Sequence, residues 1–219
     1  FNLSSYRLPM HQRSKLVPKR KRKPNDPCDR CLLNPDLCLC AVLPALSTKT
    51  NLTLVIHKSE VRRTSNTGQL AQQALLNSKK ILRGEDRFRL DLTDHFLPDY
   101  QQLLLYPSDE AVDINGGILD KFDKPIQLIV PDGNWRQASK VHYRHKELSE
   151  VPRVVVSGLI DPKFRLRSEA SELGMATIQA IAYAFGALEN KETQDKLLDL
   201  YKTKAERILW ARGAIKSEA

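Results

Sequence analysis

The sequence predicts an α/β protein with a mostly parallel β-sheet and helices on both faces of that sheet. From residue 51 onward, short apolar segments alternate with segments of helical periodicity, the succession expected of strands and helices in such a sheet. Several of the apolar segments are almost continuous, as central strands covered on both faces are. The predicted strands are 52–57, 88–92, 102–106, 126–130 and 153–157, and the predicted helices are 68–77, 135–146, 175–189 and 193–211.

Composition indicates a folded protein with a polyanionic partner. Hydrophobic residues make up 41% and charged residues 28% of the 219-residue chain, which excludes a wholly disordered protein. The net charge of +9 favours nucleic acid, because Lys and Arg side chains that neutralise phosphates release condensed counterions. No stretch approaches the roughly 18 apolar residues of a membrane span, and no apolar signal core precedes the charged segments. The sequence therefore predicts a soluble, cytoplasmic protein without a membrane partner.

Three segments are expected along the chain. Residues 1–27 are predicted to be a flexible basic arm, residues 28–50 a small cysteine knuckle, and residues 51–219 the α/β domain. A localisation signal or a merely solvated tail is the alternative interpretation of the arm. The arm residues expected to contact RNA phosphates are Lys19, Arg20, Lys21, Arg22 and Lys23.

All four cysteines lie within thirteen residues of the N-terminal region. Cys28 and Cys31 form a Cys-x-x-Cys pair, and Cys38 and Cys40 follow as a Cys-x-Cys pair. Each pair supplies two thiolates from one turn, so the spacing favours a tetrahedral Zn²⁺ site whose four ligands leave no position for substrate. A disulfide or redox pair is the alternative, and it is disfavoured because disulfides are rare inside cells. The pattern therefore predicts a structural zinc ion.

Polar residues and tight turns follow the ends of four predicted strands. Ligands of α/β sheets bind in the crevice outside the carboxyl ends of the strands, so these four segments are expected to line a binding site. They contain Arg62, Ser65, Asn66 and Thr67 after the first strand, Tyr106, Pro107 and Ser108 after the third, Asp132, Gly133 and Trp135 after the fourth, and Leu166, Arg167 and Thr177 after the fifth.

Each of these segments also has a purely structural interpretation. Ser65 or Asn66 can simply cap its helix. Asp132 begins an ordinary Asp-Gly turn, and Trp135 can anchor that turn in the core. Arg167 can form a surface ion pair of little energetic value. The convergence of four strand ends, rather than any one loop, is what predicts the site.

Taken in order, these motifs resemble the DTW-domain family, the tRNA-uridine aminocarboxypropyltransferases. The resemblance extends over residues 28–188, and the order of the motifs makes it specific. Two positions depart from the family pattern. Asn134 stands where the Asp-Thr-Trp signature has Thr, and Gln179 stands where a Glu usually follows Thr177. The matching residues are Cys28, Cys31, Cys38, Cys40, residues 65–70, 106–108 and 132–138, Leu166, Arg167 and Thr177.

The resemblance implies a SPOUT-like fold, which can be knotted, and an enzyme that uses S-adenosyl-L-methionine (SAM). Members transfer the 3-amino-3-carboxypropyl group of SAM to N3 of a tRNA uridine and release methylthioadenosine. The implied partners are SAM and tRNA, and a monomer is expected, with a dimer as the open alternative. The residues expected to bind SAM are Tyr106, Pro107, Ser108, Asp132, Gly133, Trp135, Leu166, Arg167 and Thr177, and those expected to contact RNA beyond the arm are Arg62, Ser65, Asn66 and Thr67.

The chemistry of this reaction assigns roles to three of these residues. Uridine N3–H is a poor nucleophile until its proton is removed, so Asp132 is the expected general base. Binding of the SAM amino group and a turn role are the alternatives for Asp132. Arg167 matches the SAM carboxylate as a bidentate clamp, and Trp135 either stacks on adenine or packs beneath the loop.

Two other functions stay open on the sequence. An RNA methyltransferase would use the same sulfonium with its methyl group facing the nucleotide. A non-catalytic zinc-ribbon RNA-binding protein would explain the basic arm and the cysteines. Such a protein would leave the polar residues after the four predicted strands without a function.

Overall fold

A six-stranded parallel sheet forms the centre of the computed structural model, which describes residues 26–84, 90–159, 164, 166 and 174–214. The strand order is β2-β1-β5-β3-β6-β4, and every pair is parallel. The predicted α/β class is confirmed. The strands are β1 Asn51–His57, β2 Ser78–Arg83, β3 Gln101–Leu105, β4 Val112–Asp113, β5 Ile126–Asp132 and β6 Arg153–Val155.

Helices cover both faces of the sheet, as predicted. Side chains of the central strand β5 alternate between two apolar clusters: Leu128 and Val130 join one, and Ile129 joins the other. We call the first the α3 face, because α1, α3 and α4 contribute to it, and the second the α2 face. The helices are α1 Gly68–Ala74, α2 Trp135–Arg144, α3 Thr177–Leu188 and α4 Lys191–Ala211.

The prediction was wrong at both edges of the sheet, because neither of the edge strands β2 and β4 was predicted. Of the predicted strand 88–92, residues 88–89 lie outside the described residues and 90–92 are not in a strand. The strand that follows α1 is instead β2, which among the described residues pairs only with β1 and begins with the polar residues Ser78, Lys79 and Lys80. Helix α1 ends at Ala74 rather than at residue 77, because the backbone of Leu75 is already extended. The Ser78 hydroxyl is within hydrogen-bond distance of the carbonyls of Gln72 and Leu75.

The cysteine knuckle packs against the α3 face. Leu33 and Leu39 are buried in the apolar cluster of that face. The Gln73 amide of α1 donates to the Arg30 carbonyl over 2.9 Å, and the Arg207 guanidinium of α4 donates to the carbonyls of Leu37 and Cys38. The knuckle therefore ties the N-terminal part of the described chain to helices near both ends of the α/β domain.

A membrane-spanning helix is recognised by its length and its hydropathy. Within the described ranges, no helix combines the length and the apolar character that a membrane span requires.

Candidate active site and metal centre

The Asp132 carboxylate is the centre of the candidate site. Asp132 ends β5 and is only 4% exposed. Its Oδ2 accepts a hydrogen bond from the Asn66 side-chain amide at 2.6 Å, and its Oδ1 accepts one from the Thr177 hydroxyl at 2.7 Å. Three residues that the sequence placed after three different strands thus meet at one carboxylate.

The topology places this carboxylate at a switch point of the sheet. Neighbouring strands β1 and β5 are followed by helices on opposite faces, α1 on the α3 face and α2 on the α2 face. Such a reversal opens a crevice at the carboxyl ends of the two strands, where α/β proteins bind ligands. Asp132 is paired in register with Ile56 at that point.

Two glycines allow the backbone to approach this centre. A Cβ on Gly68, the first residue of α1, would lie 2.7 Å from the Asp132 carboxyl group, so only glycine leaves room for it. Gly133 has φ of 156°, and a Cβ there would lie 2.8 Å from Oε1 of Gln137. Gly68 is therefore required by its packing against Asp132, and Gly133 by its φ and its packing against Gln137.

Lys204 is a residue of the site that the sequence analysis missed. It lies on α4, is 2% exposed, and its ammonium donates to the Asn66 carbonyl at 2.6 Å. Asn66 in turn donates to Asp132, so Lys204 holds the loop that orients the carboxylate. One feature of the sequence could have identified Lys204, namely its position within the apolar stripe of a predicted helix. A lysine is almost never fully buried unless it is paired, so this position indicates a buried partner.

We expect Lys204→Met to lower the free energy of unfolding by about 1–3 kcal/mol. The substitution keeps the apolar stem but leaves the buried Asn66 carbonyl without this donor, and an unmade buried hydrogen bond costs about that much. Urea denaturation measures the effect. Lys196→Met is the matched control, because Lys196 is exposed and pairs with Glu192 on the surface, so its loss should change stability by less than about 1 kcal/mol. Equal stability of the two variants would contradict the role of Lys204.

The three predicted site residues after β3 differ in burial. The Tyr106 ring is buried in the cluster of the α2 face, on the other side of the sheet from the Asp132 carboxylate. Burial, with Tyr143 nearby, raises the pKa of Tyr106. Pro107 is exposed, whereas the Ser108 hydroxyl is buried and has no hydrogen-bond partner among the described residues. A buried hydroxyl of this kind is available to a bound ligand.

Some of the other predicted site residues lie within the described chain and some lie outside it. Thr67 accepts a hydrogen bond from the Ile178 amide at 3.4 Å, and Arg62 is exposed. The Leu166 side chain is buried on the α3 face and its carbonyl accepts a hydrogen bond from Arg212. Ser65 is half-buried, Trp135 begins α2, and Arg167, Lys19, Arg20, Lys21, Arg22 and Lys23 lie outside the described residues.

The four cysteines form a cluster that could hold a metal ion. Sγ atoms of Cys28 and Cys40 are 3.5 Å apart, those of Cys31 and Cys38 are 3.7 Å apart, and all four lie within 4.8 Å of one another. A tetrahedron with zinc–sulfur bonds of about 2.3 Å has sulfur–sulfur edges of roughly 3.8 Å, whereas a disulfide is about 2.05 Å long. The spacing fits a four-thiolate metal site. Leu32, directly after the first pair, has a positive φ of 63°.

The protonation of these thiols also favours a cation. Burial raises the pKa of Cys40 to about 12. At Cys28 burial acts in the same direction but is outweighed by backbone hydrogen bonds at Cys31 and Arg30 and by the neighbouring thiols, which bring the pKa to about 6. Four neighbouring thiolates therefore require a positive ion to become ionised together.

Comparison of the sequence with known proteins identifies the family of this chain. The family model described as the DTW domain matches residues 25–209. The chain belongs to the DTW domain family. This match includes both the cysteine cluster and the crevice around Asp132, so the two features are parts of one DTW domain.

Curated relatives carry an enzyme name. The chain is 28% identical to tRNA-uridine aminocarboxypropyltransferase 2 of Macaca fascicularis and 27% identical to that of Mus musculus, each over 83% of this chain and 62% of the relative. It is 29% identical to tRNA-uridine aminocarboxypropyltransferase A of Arabidopsis thaliana over 80% of this chain and 78% of the relative. The chain thus spans less than two thirds of the length of the first two relatives. No solved structure matches it significantly.

The two departures from the DTW pattern both fall at capping positions. Asn134 is the N-cap of α2, where its side chain accepts from the Gln137 amide at 2.9 Å. Gln179 lies in the first turn of α3, where its side chain accepts from the Ala176 amide at 3.1 Å. Thr and Asn both serve as N-caps, and Glu and Gln both close capping boxes. The replacements therefore preserve the local hydrogen bonds of this DTW domain.

Proposed function

We propose that this DTW domain protein is a tRNA-uridine aminocarboxypropyltransferase that uses SAM. The observation that carries the proposal is the DTW match over residues 25–209 together with relatives from mammals and a plant that bear this enzyme name. The crevice around Asp132 supports the proposal, because an α/β transferase binds its ligands outside the carboxyl ends of the strands. A non-catalytic zinc-ribbon RNA-binding protein would not need such a site.

SAM is our proposed co-substrate, and Ser108 and Arg167 are the residues from which we expect polar contacts to it. When bound, SAM supplies an electrophilic carbon next to a sulfonium, which departs as a neutral thioether. The buried hydroxyl of Ser108 is a polar group that a ligand can satisfy, and Arg167 remains our candidate for the SAM carboxylate. Gly133 keeps the backbone free of a side chain beside Asp132.

Asp132 is our candidate for the group that takes the N3 proton of uridine. Asn66 and Thr177 hold its two oxygens in fixed directions, so the carboxylate needs no rearrangement to act. Deprotonation leaves a nucleophilic N3, and the N3–carbon bond forms as the carbon–sulfur bond breaks and its electron pair stays on sulfur. Lys204 acts as a positioning residue through Asn66.

Zinc is our proposed metal for the cysteine cluster, with a structural role. Cys28, Cys31, Cys38 and Cys40 would fill all four positions of a tetrahedral ion, which leaves none for substrate. The SPOUT-like knot, the monomeric state and RNA contacts of the basic arm stay predictions.

Incubation with unmodified tRNA and two differently labelled forms of SAM tests the proposed function. If the label is in the SAM carboxyl group, we expect it in the tRNA nucleosides, with methylthioadenosine as the second product. If the label is in the methyl group, it should remain with methylthioadenosine. Transfer of the methyl label to RNA would indicate a methyltransferase, and absence of SAM binding by calorimetry would favour the non-catalytic RNA-binding protein.

A further inference from the structure

Helix α2 presents a row of three cations to the solvent. Arg136, Lys140 and Arg144 are spaced by four residues and are all exposed. Residues at this spacing lie on one face of a helix, with successive positions about 6 Å apart along the axis. The row begins one turn after Asp132, so it runs along the α2 face from the mouth of the crevice.

The row departs from what helical stability alone favours. Like charges four residues apart destabilise a helix, and α2 contains no acidic residue that would offset them from within the helix. Neither Arg136 nor Lys140 forms an ion pair with any described residue. Helix α4 shows the usual arrangement, since its exposed lysines pair with acids four residues away: Lys191 with Asp195, Lys196 with Glu192 and Lys202 with Glu206.

Further cations surround the crevice end of this row. The Gln137 side chain of α2 donates to Ser59 at 2.9 Å, so the helix begins beside the segment after β1, where Lys58 and Arg62 are exposed. His57 lies beside these charges: burial lowers its pKa, the positive charges of Arg83, Lys58 and Lys140 lower it further, and Glu60 acts in the opposite direction. The surface is therefore a place of positive potential.

An exposed aromatic ring accompanies these charges. Tyr143 is 78% exposed and immediately precedes Arg144 on the same helix. Proteins that bind single-stranded segments of nucleic acid combine a basic surface with aromatic rings on which bases stack. Cations spaced along a helix and an adjacent aromatic ring fit the sugar-phosphate backbone and an unpaired base better than they fit a compact anion.

We propose that Arg136, Lys140 and Arg144 bind the phosphate backbone of the RNA substrate and lead its target nucleotide to the crevice at Asp132. The identity of that RNA as tRNA rests on the proposed function. The row supplies affinity and register rather than sequence choice, because phosphate contacts carry no base information.

A pair of triple variants with the same change in net charge tests this surface. R136Q/K140Q/R144Q removes the row, and K191Q/K196Q/K202Q removes three exposed lysines of α4. The dissociation constant for unmodified tRNA is measured by filter binding over a range of salt concentrations. The row variant should weaken binding by on the order of 10- to 100-fold near 0.1 M salt and lower the salt slope by about 2–3, because three phosphate contacts are lost. The α4 variant should keep the wild-type slope.

Thermal melting separates lost contacts from lost folding. The row variant removes the repulsion between neighbouring like charges on α2 and should melt close to the wild-type temperature, whereas the α4 variant loses three favourable pairs and should melt at or slightly below it. Equal loss of tRNA affinity in both variants would overturn the proposal, because net charge alone would then explain it. Wild-type affinity in the row variant would overturn it as well.

The labelled-SAM assay keeps this inference distinguishable from the proposed function. If the wild type modifies tRNA but the row variant binds tRNA normally, the proposed RNA-binding role of the row is refuted and the proposed enzymatic function is supported. If tRNA binding depends on the row but the wild type forms no modified nucleoside, the proposed enzymatic function is refuted and the RNA-binding role of the row is supported.

Discussion

Asp132→Asn is expected to lower aminocarboxypropyl transfer by roughly 10²–10⁴-fold while SAM and tRNA affinities change little. This is the usual contribution of a positioned general base, and the amide that replaces the carboxylate cannot accept the N3 proton of uridine. The loss should appear in kcat, measured at saturating SAM and tRNA. Asp199→Asn, the same chemical change at an exposed position of α4, is the matched control and should leave kcat unchanged.

The structure explains why the fold should tolerate this substitution. The amide oxygen of the new side chain can still accept from Asn66. Its NH₂ group can donate to the Thr177 hydroxyl, which is both a donor and an acceptor. The hydrogen bonds with Asn66 and Thr177 can therefore both survive, with donor and acceptor exchanged in the bond to Thr177. Circular dichroism and the melting temperature should stay close to the wild type.

The same variant separates the three roles considered for Asp132. If the carboxylate binds the SAM amino group, SAM affinity falls first and higher SAM concentration restores much of the rate. If Asp132 is only a turn residue, stability drops and the folded fraction turns over normally. Normal kcat at saturating SAM would thus refute the base assignment.

Most of the sheet could be predicted because its central strands have a strong apolar signal. All seven residues of β5 are buried, and the predicted strand 126–130 lies within it. The edge strands lack this signal: β2 begins with three polar residues, and Val112–Asp113 is only two residues long. Pairing with β1 and β6 creates these strands, and a backbone partner that is distant in sequence leaves no local pattern.

The convergence at Asp132 was predictable in outline, because the carboxyl ends of parallel strands meet at one edge of a sheet. The direction of each side chain was harder to predict. Tyr106 follows β3 by one residue, and its ring turns to the α2 face, whereas Asp132 turns to the α3 face. Lys204 was missed because its partner is a backbone carbonyl 138 residues earlier in the chain, a relation that no local spacing records.

Replacement of Cys31 by Ser is expected to abolish stoichiometric zinc binding and to open the knuckle. Cys31 is buried in the apolar cluster of the α3 face, so its hydroxyl replacement is both a poorer zinc ligand and a buried polar group. Metal content by inductively coupled plasma mass spectrometry should fall from about one zinc ion per chain to less than about one tenth.

Loss of the metal should also lower the free energy of unfolding by roughly 3–6 kcal/mol. Metal binding and local folding are coupled, and an open knuckle exposes Leu33 and Leu39, whose burial contributes about 1.5–3 kcal/mol each. Limited proteolysis should then cut within residues 28–50 before it cuts the sheet, because the contacts of Gln73 and Arg207 with the knuckle are lost.

Chelation of the wild-type protein provides the control for this substitution. Removal of the metal by a chelator should reproduce the instability of Cys31→Ser, and added Zn²⁺ should rescue the chelated wild type but not the variant. The crevice around Asp132 belongs to the sheet and α3, so SAM affinity should survive in both. A metal-free wild-type protein as stable as the zinc-loaded one would contradict the structural role of the cluster, because four crowded thiols would then need no cation to hold the knuckle closed.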